Sequence, residues 1–196
     1  MKKTLVGFFT GSAIAVCIII AVTSYQLYKN KYATIDAQLK EISGIEFDKN
    51  NKLWAINDGG DEAKLYKINK NGNIDREITV TNAKNIDWED MTQDDFGHFF
   101  LGDFGNNDNL RKWLTIYKIE NPIDIKSATT QAEIIKFTYP EHTSFPPKVH
   151  EMEFDLEAFV FYKKHLYLFT KNRTVPFNGI TTLYKIGDHA ANYDAK

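Results

Sequence analysis

Apolar and polar residues alternate along most of this chain in short runs, and the runs recur in one order three times. The first copy, Ile42 to Asn69, reads ISGIEFDKNNKLWAINDGGDEAKLYKIN; the second runs from Glu89 to Glu120 and the third from Glu157 to Gly187. Each opens on a short apolar run, turns, and continues through an alternating segment (LWAIN, FFLGD, LYLFT). Each then crosses a polar loop and closes on LYKI, IYKI or LYKI. A period of two places successive side chains on opposite faces of a pleated strand. In the first copy the pattern predicts strands at Lys52 to Asn57 and Lys64 to Asn69, parted by NDGGDEA, and a further strand at Ile74 to Thr81 after the Asn71-Gly72-Asn73 turn. The second copy predicts Asp90 to Gln93, Phe99 to Asp103, Leu114 to Ile119 and Ile134 to Tyr139. The third predicts Leu156 to Tyr162, Leu166 to Thr170 and Thr182 to Ile186, with no convincing fourth strand before Lys196. Ser127 to Gln131 and Glu141 to Pro147 read as loops.

Units of four antiparallel strands at this spacing are the blades of a β-propeller. The expected fold is therefore all-β: about three blades of four antiparallel strands over residues 42–196, after an N-terminal transmembrane helix. A meandering sandwich is the competing architecture. Propellers close with about 4 to 8 blades, so three leave outer faces uncovered. The expectation is an incomplete propeller: a truncated copy, or one whose missing blades come from a second chain or from self-association.

The first thirty residues break the pattern. Lys2 and Lys3 precede an apolar run from Leu5 to Val22 that is long enough to cross most of a bilayer. A basic start followed by an apolar stretch also describes a signal peptide. Residues 1–30 are read as a signal anchor or signal peptide with a short cytoplasmic start, and 31–41 as a linker. The soluble domain is then placed outside the cytoplasm, periplasmic or extracellular, attached to the membrane through the N-terminal helix.

Composition adds three limits. Aromatic residues make up 14% of the chain, which favours sheet. A net charge of −2 provides no basic footprint, so no nucleic-acid partner is expected. The one cysteine, Cys17, excludes an intramolecular disulfide framework and a cysteine-rich metal site.

Antiparallel pairing sets the start of each unit's first strand beside the end of its second. Asn85, Asp87, Glu89 and Asp90 precede or open that strand in the second unit; Glu151, Glu153, Asp155 and Glu157 do so in the third. The second strands end on Asn57-Asp58, on Asp103 followed by Asn106 and Asn107, and on Thr170-Lys171. With the first strand innermost, these residues ring one mouth of a central channel. Carboxylates and amides without His or Cys are hard oxygen ligands suited to Ca²⁺ or Mg²⁺, and they can equally supply a general acid and base. The candidate metal ligands are Asp87, Glu89, Asp103, Asp155 and Glu157. The candidate ligand-contacting residues are Asn57, Asp58, Trp88, Asn106, Lys171 and Arg173, the last two as an anion site or as charge neutralising the rim. The alternative for the carboxylates is structural: solvated turns, or caps on the backbone amides of a neighbouring blade.

At Asn57 to Gly60 (NDGG), Asp87 to Asp90 (DWED), Gly102 to Asn107 (GDFGNN) and Asp155 to Phe159 (DLEAF), the sequence resembles a group of exported bacterial β-propeller proteins, largely uncharacterised. The resemblance spans Ile42 to about Ile186. It extends distantly to phytase-like and esterase-like propellers, some of which use Ca²⁺ to hold a phosphate ester, although the acidic runs of β-propeller phytases are absent. It implies a propeller fold, and either binding of a cation or polar ligand at the mouth, a Ca²⁺-dependent phosphoesterase activity, or a non-catalytic scaffold.

Overall fold

The computed structural model describes residues 32–196 together with Val16 and Ile20. The membrane and signal readings of residues 1–30 therefore lie outside the described residues, apart from those two positions. Among the described residues no helix is long and apolar enough to cross a membrane.

Three antiparallel sheets succeed one another along the chain. Sheet one contains β1 (Ile42–Phe47), β2 (Leu53–Asn57), β3 (Lys64–Ile68) and β4 (Ile74–Val80). Sheet two contains β5 (Trp88–Gln93), β6 (Phe99–Asp103) and β7 (Leu114–Ile119); then come β8 (Thr129–Thr130) and β9 (Glu133–Thr138), of which β9 completes its antiparallel run. Sheet three contains β10 (Asp155–Tyr162), β11 (His165–Lys171) and β12 (Leu183–Gly187). The repeated LYKI and IYKI segments are the third strand of each sheet, β3, β7 and β12.

The expected four-stranded unit needs one correction: sheets one and two have five strands. β8 falls inside the stretch read as a loop and pairs in parallel with β4, while β13 (Asn192–Asp194) pairs in parallel with β9. The physical reason is the bare backbone edge of a fourth strand, whose amides and carbonyls need partners. In each case the chain leaving the next sheet's third strand swings back to supply them. Thr79 N–H donates to Ala128, and Thr81 N–H to Thr130, each at 2.9 Å. The Arg76 guanidinium holds the same connection through the Pro122, Ile125 and Ser127 carbonyls. After β13, Lys196 exchanges backbone hydrogen bonds with Lys185 of β12 at 2.7 and 3.2 Å. Its place matches that of Glu133, the first residue of β9, which pairs with Lys118 of β7.

The inner strands lie side by side, with β5 between β1 and β10. Gly44 permits this approach, since a Cβ there would stand 2.9 Å from the Met91 amide nitrogen and 3.0 Å from the Asp90 backbone. Side chains stitch the strands together: the Ser43 hydroxyl donates to the Trp88 carbonyl (2.8 Å), and Asp90 Oδ2 accepts from the Phe159 amide (3.0 Å). One apolar cluster fills the space between sheets one and two, around Trp54, Ile56, Trp88, Met91 and Leu101. Another fills the space between sheets two and three, around Phe100, Phe104, Phe137, Leu156 and Phe159. Each fully buried side chain of this size contributes roughly 1.5–3 kcal/mol. The flank of sheet one is covered by a short 3-10 turn, Ala37–Leu39, which seats Leu39 on Ala55, Tyr66 and Ile68. The result is a propeller-like all-β arrangement.

A local irregularity recurs in every sheet. The pairing of β1 with β2 slips between Ile42 and Gly44, that of β5 with β6 between Trp88 and Asp90, and that of β10 with β11 between Leu156 and Ala158. One residue is therefore left over at Ser43, Glu89 and Glu157. Such a bulge bends the strand and re-aims the extra side chain.

Candidate functional site

The bulges sit at the heads of the inner strands, where Ile42 faces Asn57, Trp88 faces Asp103 and Asp155 faces Lys171. The bulge aims Glu89 toward two other carboxylates: Asp87, just ahead of β5, and Asp58, just beyond β2. Ligand oxygens of Asp58, Asp87 and Glu89 all lie within 4.8 Å of one another. Among the described residues none of the three forms an ion pair, although ion pairs are formed close by. Two glycines press the cluster together. A Cβ on Gly105 would overlap the carboxylates of both Asp87 and Glu89, and one on Gly59 would meet the Ile86 carbonyl and Asp87 Oδ1.

Burial, with crowding behind it, raises the proton affinity of Asp87 and Glu89. Burial, then the charges of Glu157, Asp58, Asp87 and Asp155, push Glu89 up to about 8. Burial, then the charge of Asp58, push Asp87 up to about 6 against the opposing pull of Arg111.

The other predicted metal ligands are engaged differently. Asp103 is fully buried; its Oδ1 accepts from the Asp87 amide and its Oδ2 pairs with Arg111 at 3.2 Å. Asp155, also fully buried, accepts from the Asn106 amide (2.8 Å) and pairs with Arg173 Nε at 2.6 Å. Burial holds both above the ordinary carboxylate range even with their arginines in place. Glu157 receives Lys171 at 2.8 Å and Arg173 at 3.0 Å; burial works upward on it, but these cations outweigh it and hold it below its ordinary value. Of the five predicted metal ligands, the structure thus gathers Asp87 and Glu89 with Asp58, and ties Asp103, Asp155 and Glu157 to cations.

The predicted ligand-contacting residues divide in the same way. Trp88 is a correction: its ring has no accessible surface, lying in the core with Nε1 donating to the Lys84 carbonyl, because the strand pairing turns it inward. Asn57 and Asn106 are buried and hold backbone, Asn57 on the Gln38 carbonyl and Asn106 on the Arg111 amide and carbonyl and the Phe154 carbonyl. Lys171 pairs with Glu157, and Arg173 with both Asp155 and Glu157. The capping alternative is realised at Asp90 and Asp155, each accepting an amide from the adjoining sheet. Sequence reasoning missed Arg111, which also donates to the Gly105 and Asp103 carbonyls. Its signal was a cation in the loop that begins at a buried carboxylate.

No protein-family model matches this sequence, and no match was found among the curated proteins. Two solved structures with which it aligns are both of virginiamycin B lyase from Staphylococcus aureus. One is the selenomethionine-substituted enzyme, at 17% identity and a TM-score of 0.41, covering 79% of this chain and 44% of that one. The other is a catalytically inactive variant with quinupristin, at 18% identity and a TM-score of 0.39, covering 76% of this chain and 43% of that one. The chain spans less than half the length of these proteins.

The donor set of the cluster fits a hard divalent cation. Calcium binds oxygens at about 2.3–2.6 Å, so two of its ligands stand at most about 5 Å apart, in keeping with the 4.8 Å limit within the trio.

Proposed function

We propose that this chain is an extracytoplasmic β-propeller protein, held at the membrane by its N-terminal segment, that binds a divalent cation or small polar ligand at the channel mouth through Asp58, Asp87 and Glu89. Ca²⁺ is the cation the donor set favours. The observation that carries this reading is the convergence of three carboxylates that form no ion pair among the described residues, beside three others that each have one. The sheet pays a standing electrostatic penalty at that point, and a divalent cation removes it. Bound there, the ion would supply positive charge against three acidic oxygens; this chain's own part is to hold those oxygens together and to keep Arg111 and Arg173 occupied elsewhere.

A second reading, a phosphoester hydrolase, draws on Glu89, whose raised proton affinity suits proton transfer near neutral pH. The test of binding is thermal unfolding of the full chain with CaCl₂, MgCl₂ or chelator. A cation that binds the folded state raises the midpoint, and Glu89→Gln is expected to abolish the rise. An unchanged midpoint with both metals sinks the cation reading. Turnover of p-nitrophenyl phosphate that is lost in Asp87→Asn distinguishes the hydrolase.

A further inference from the structure

Asparagine followed by glycine is a chemically reactive pair, because no side chain shields the glycine nitrogen from the asparagine carboxamide. The sequence contains two such pairs, Asn71-Gly72 and Asn178-Gly179. The fold treats them in opposite ways.

Asn71-Gly72 is locked. It lies in the turn between β3 and β4, where the Gly72 amide donates to the Asn69 carbonyl and the Gly72 carbonyl accepts from the Asp36 amide, each at 2.9 Å. Asn69 Oδ1 fixes the same turn by accepting from the Asn71 and Asn73 amides at 2.9 and 3.2 Å. Gly72 is buried, and a Cβ on it would overlap the Thr34 carbonyl. Its nitrogen is occupied, and its peptide has no room to swing toward the Asn71 side chain.

Asn178-Gly179 is open. It lies between β11 and β12, in a loop whose residues from Val175 to Thr181 are all exposed. Among the described residues the Gly179 amide makes no hydrogen bond, and an added Cβ there would meet only the Phe177 ring, at 3.7 Å. The carboxamide is held and polarised: Asn178 Oδ1 accepts from the Ile180 amide at 2.9 Å, and Nδ2 donates to Glu153 Oε1 at 3.3 Å. A donor on that oxygen stabilises the negative charge that develops there when the carbonyl carbon is attacked.

We infer that Asn178 is a site of spontaneous deamidation in the folded chain, and that Asn71 is protected from it. The Gly179 nitrogen gives its proton to solvent base and bonds to Asn178 Cγ. The Cγ–Nδ2 bond breaks, and the nitrogen leaves as ammonia with a proton from water. Water then opens the cyclic imide at either carbonyl, giving aspartate or isoaspartate. Nothing is oxidised or reduced, and water is the only co-reactant. The product sets a carboxylate against Glu153, which loses one amide donor and keeps the other, Asn172 at 3.4 Å. The root of the loop stays tied, by the Arg173 amide on the Met152 carbonyl (2.8 Å) and the Val175 amide on the Val149 carbonyl (3.1 Å). Deamidation therefore frees the tip and leaves sheet three in place. This goes beyond the binding proposal and does not depend on it.

The test is peptide mapping by mass spectrometry of the full chain after incubation in mildly alkaline buffer, folded and in urea. Both asparagines should convert at similar rates in urea. In the folded chain Asn71 should convert about tenfold or more slowly than Asn178, since reaction there requires breaking the hydrogen bonds of a buried turn. Asn178→Gln should abolish the fast conversion. Asn178→Asp, which reproduces one product, should be cleaved faster by chymotrypsin after Phe177 while keeping the unfolding midpoint of the parent chain. Equal rates at the two sites in the folded chain overturn the inference, as does an intact Asn178 under conditions that convert it in urea. A lowered midpoint in Asn178→Asp overturns the confinement of the change to the loop tip.

Discussion

Glu89 and Glu157 occupy the same bulged position of consecutive inner strands, yet Glu157 meets Lys171 and Arg173 while Glu89 meets Asp58 and Asp87. One backbone device thus delivers a neutralised carboxylate in sheet three and a crowded one in sheet two. The difference lies in the loop beyond the second strand of each sheet. Lys171 closes β11 and Arg173 comes just after it, whereas the chain after β6 turns at Gly105 and sends Arg111 to Asp103.

The crowding sets a pH dependence. Folded Asp87 and Glu89 hold protons at pH values where the unfolded chain has released them, so stability falls as pH rises from about 4 through about 6 and about 8. In chelator, Glu89→Gln should raise stability at pH 8.5 by about 1–2 kcal/mol, after allowing for the side chain's partial exposure, and leave it unchanged at pH 4. Denaturant titrations at the two pH values check this; an equal gain at both would place the cause in packing rather than charge.

Removing Arg173 leaves Asp155 buried and unpaired. Arg173→Met should cost about 3 kcal/mol, measured by urea unfolding. Adding Asp155→Asn should recover part of the loss, because the neutral amide needs no counter-charge.

Asp90 joins two sheets through one hydrogen bond, from the Phe159 amide to its Oδ2. Asp90→Ala should lower stability by about 1–3 kcal/mol and speed hydrogen exchange at the Phe159 amide. Exchange unchanged at Phe159 would show that the bond does not hold β10 to β5.

At Gly44 the nearest atoms to an added Cβ are all backbone, of Asp90 and Met91 in β5. Gly44→Ala forces β1 away from β5 and should cost about 1–3 kcal/mol by overpacking. Leu53→Ala, in the next strand of the same sheet, serves as a comparison whose loss comes from a cavity and not from overpacking.

The hairpins were legible because alternation and turn residues are local: β2, β3, β6 and β11 fall where LWAIN, LYKI, FFLGD and LYLFT place them. The bulge also left a trace. Trp88 and Met91, and likewise Leu156 and Phe159, share a core at a spacing of three, which an unbroken strand forbids. β8 and β13 were not legible, since two- and three-residue strands have no period and their partners lie in another sheet. At the site, sequence grouped the carboxylates at the heads of the inner strands. It did not separate Asp58, Asp87 and Glu89 from the arginine-paired set, because Arg111 and Arg173 reach their partners through loops whose path only the fold determines.

The parallel strands β8 and β13 bear on how the chain is made. Sheet one exposes the edge of β4 until Thr129 and Thr130 have been synthesised, and sheet two exposes β9 until Asn192 to Asp194 arrive. Sheets one and two are each finished only by a strand that follows the next sheet's third strand. Folding during synthesis therefore advances with one unsealed edge always at the growing front, and damage to a later sheet uncovers the one before it.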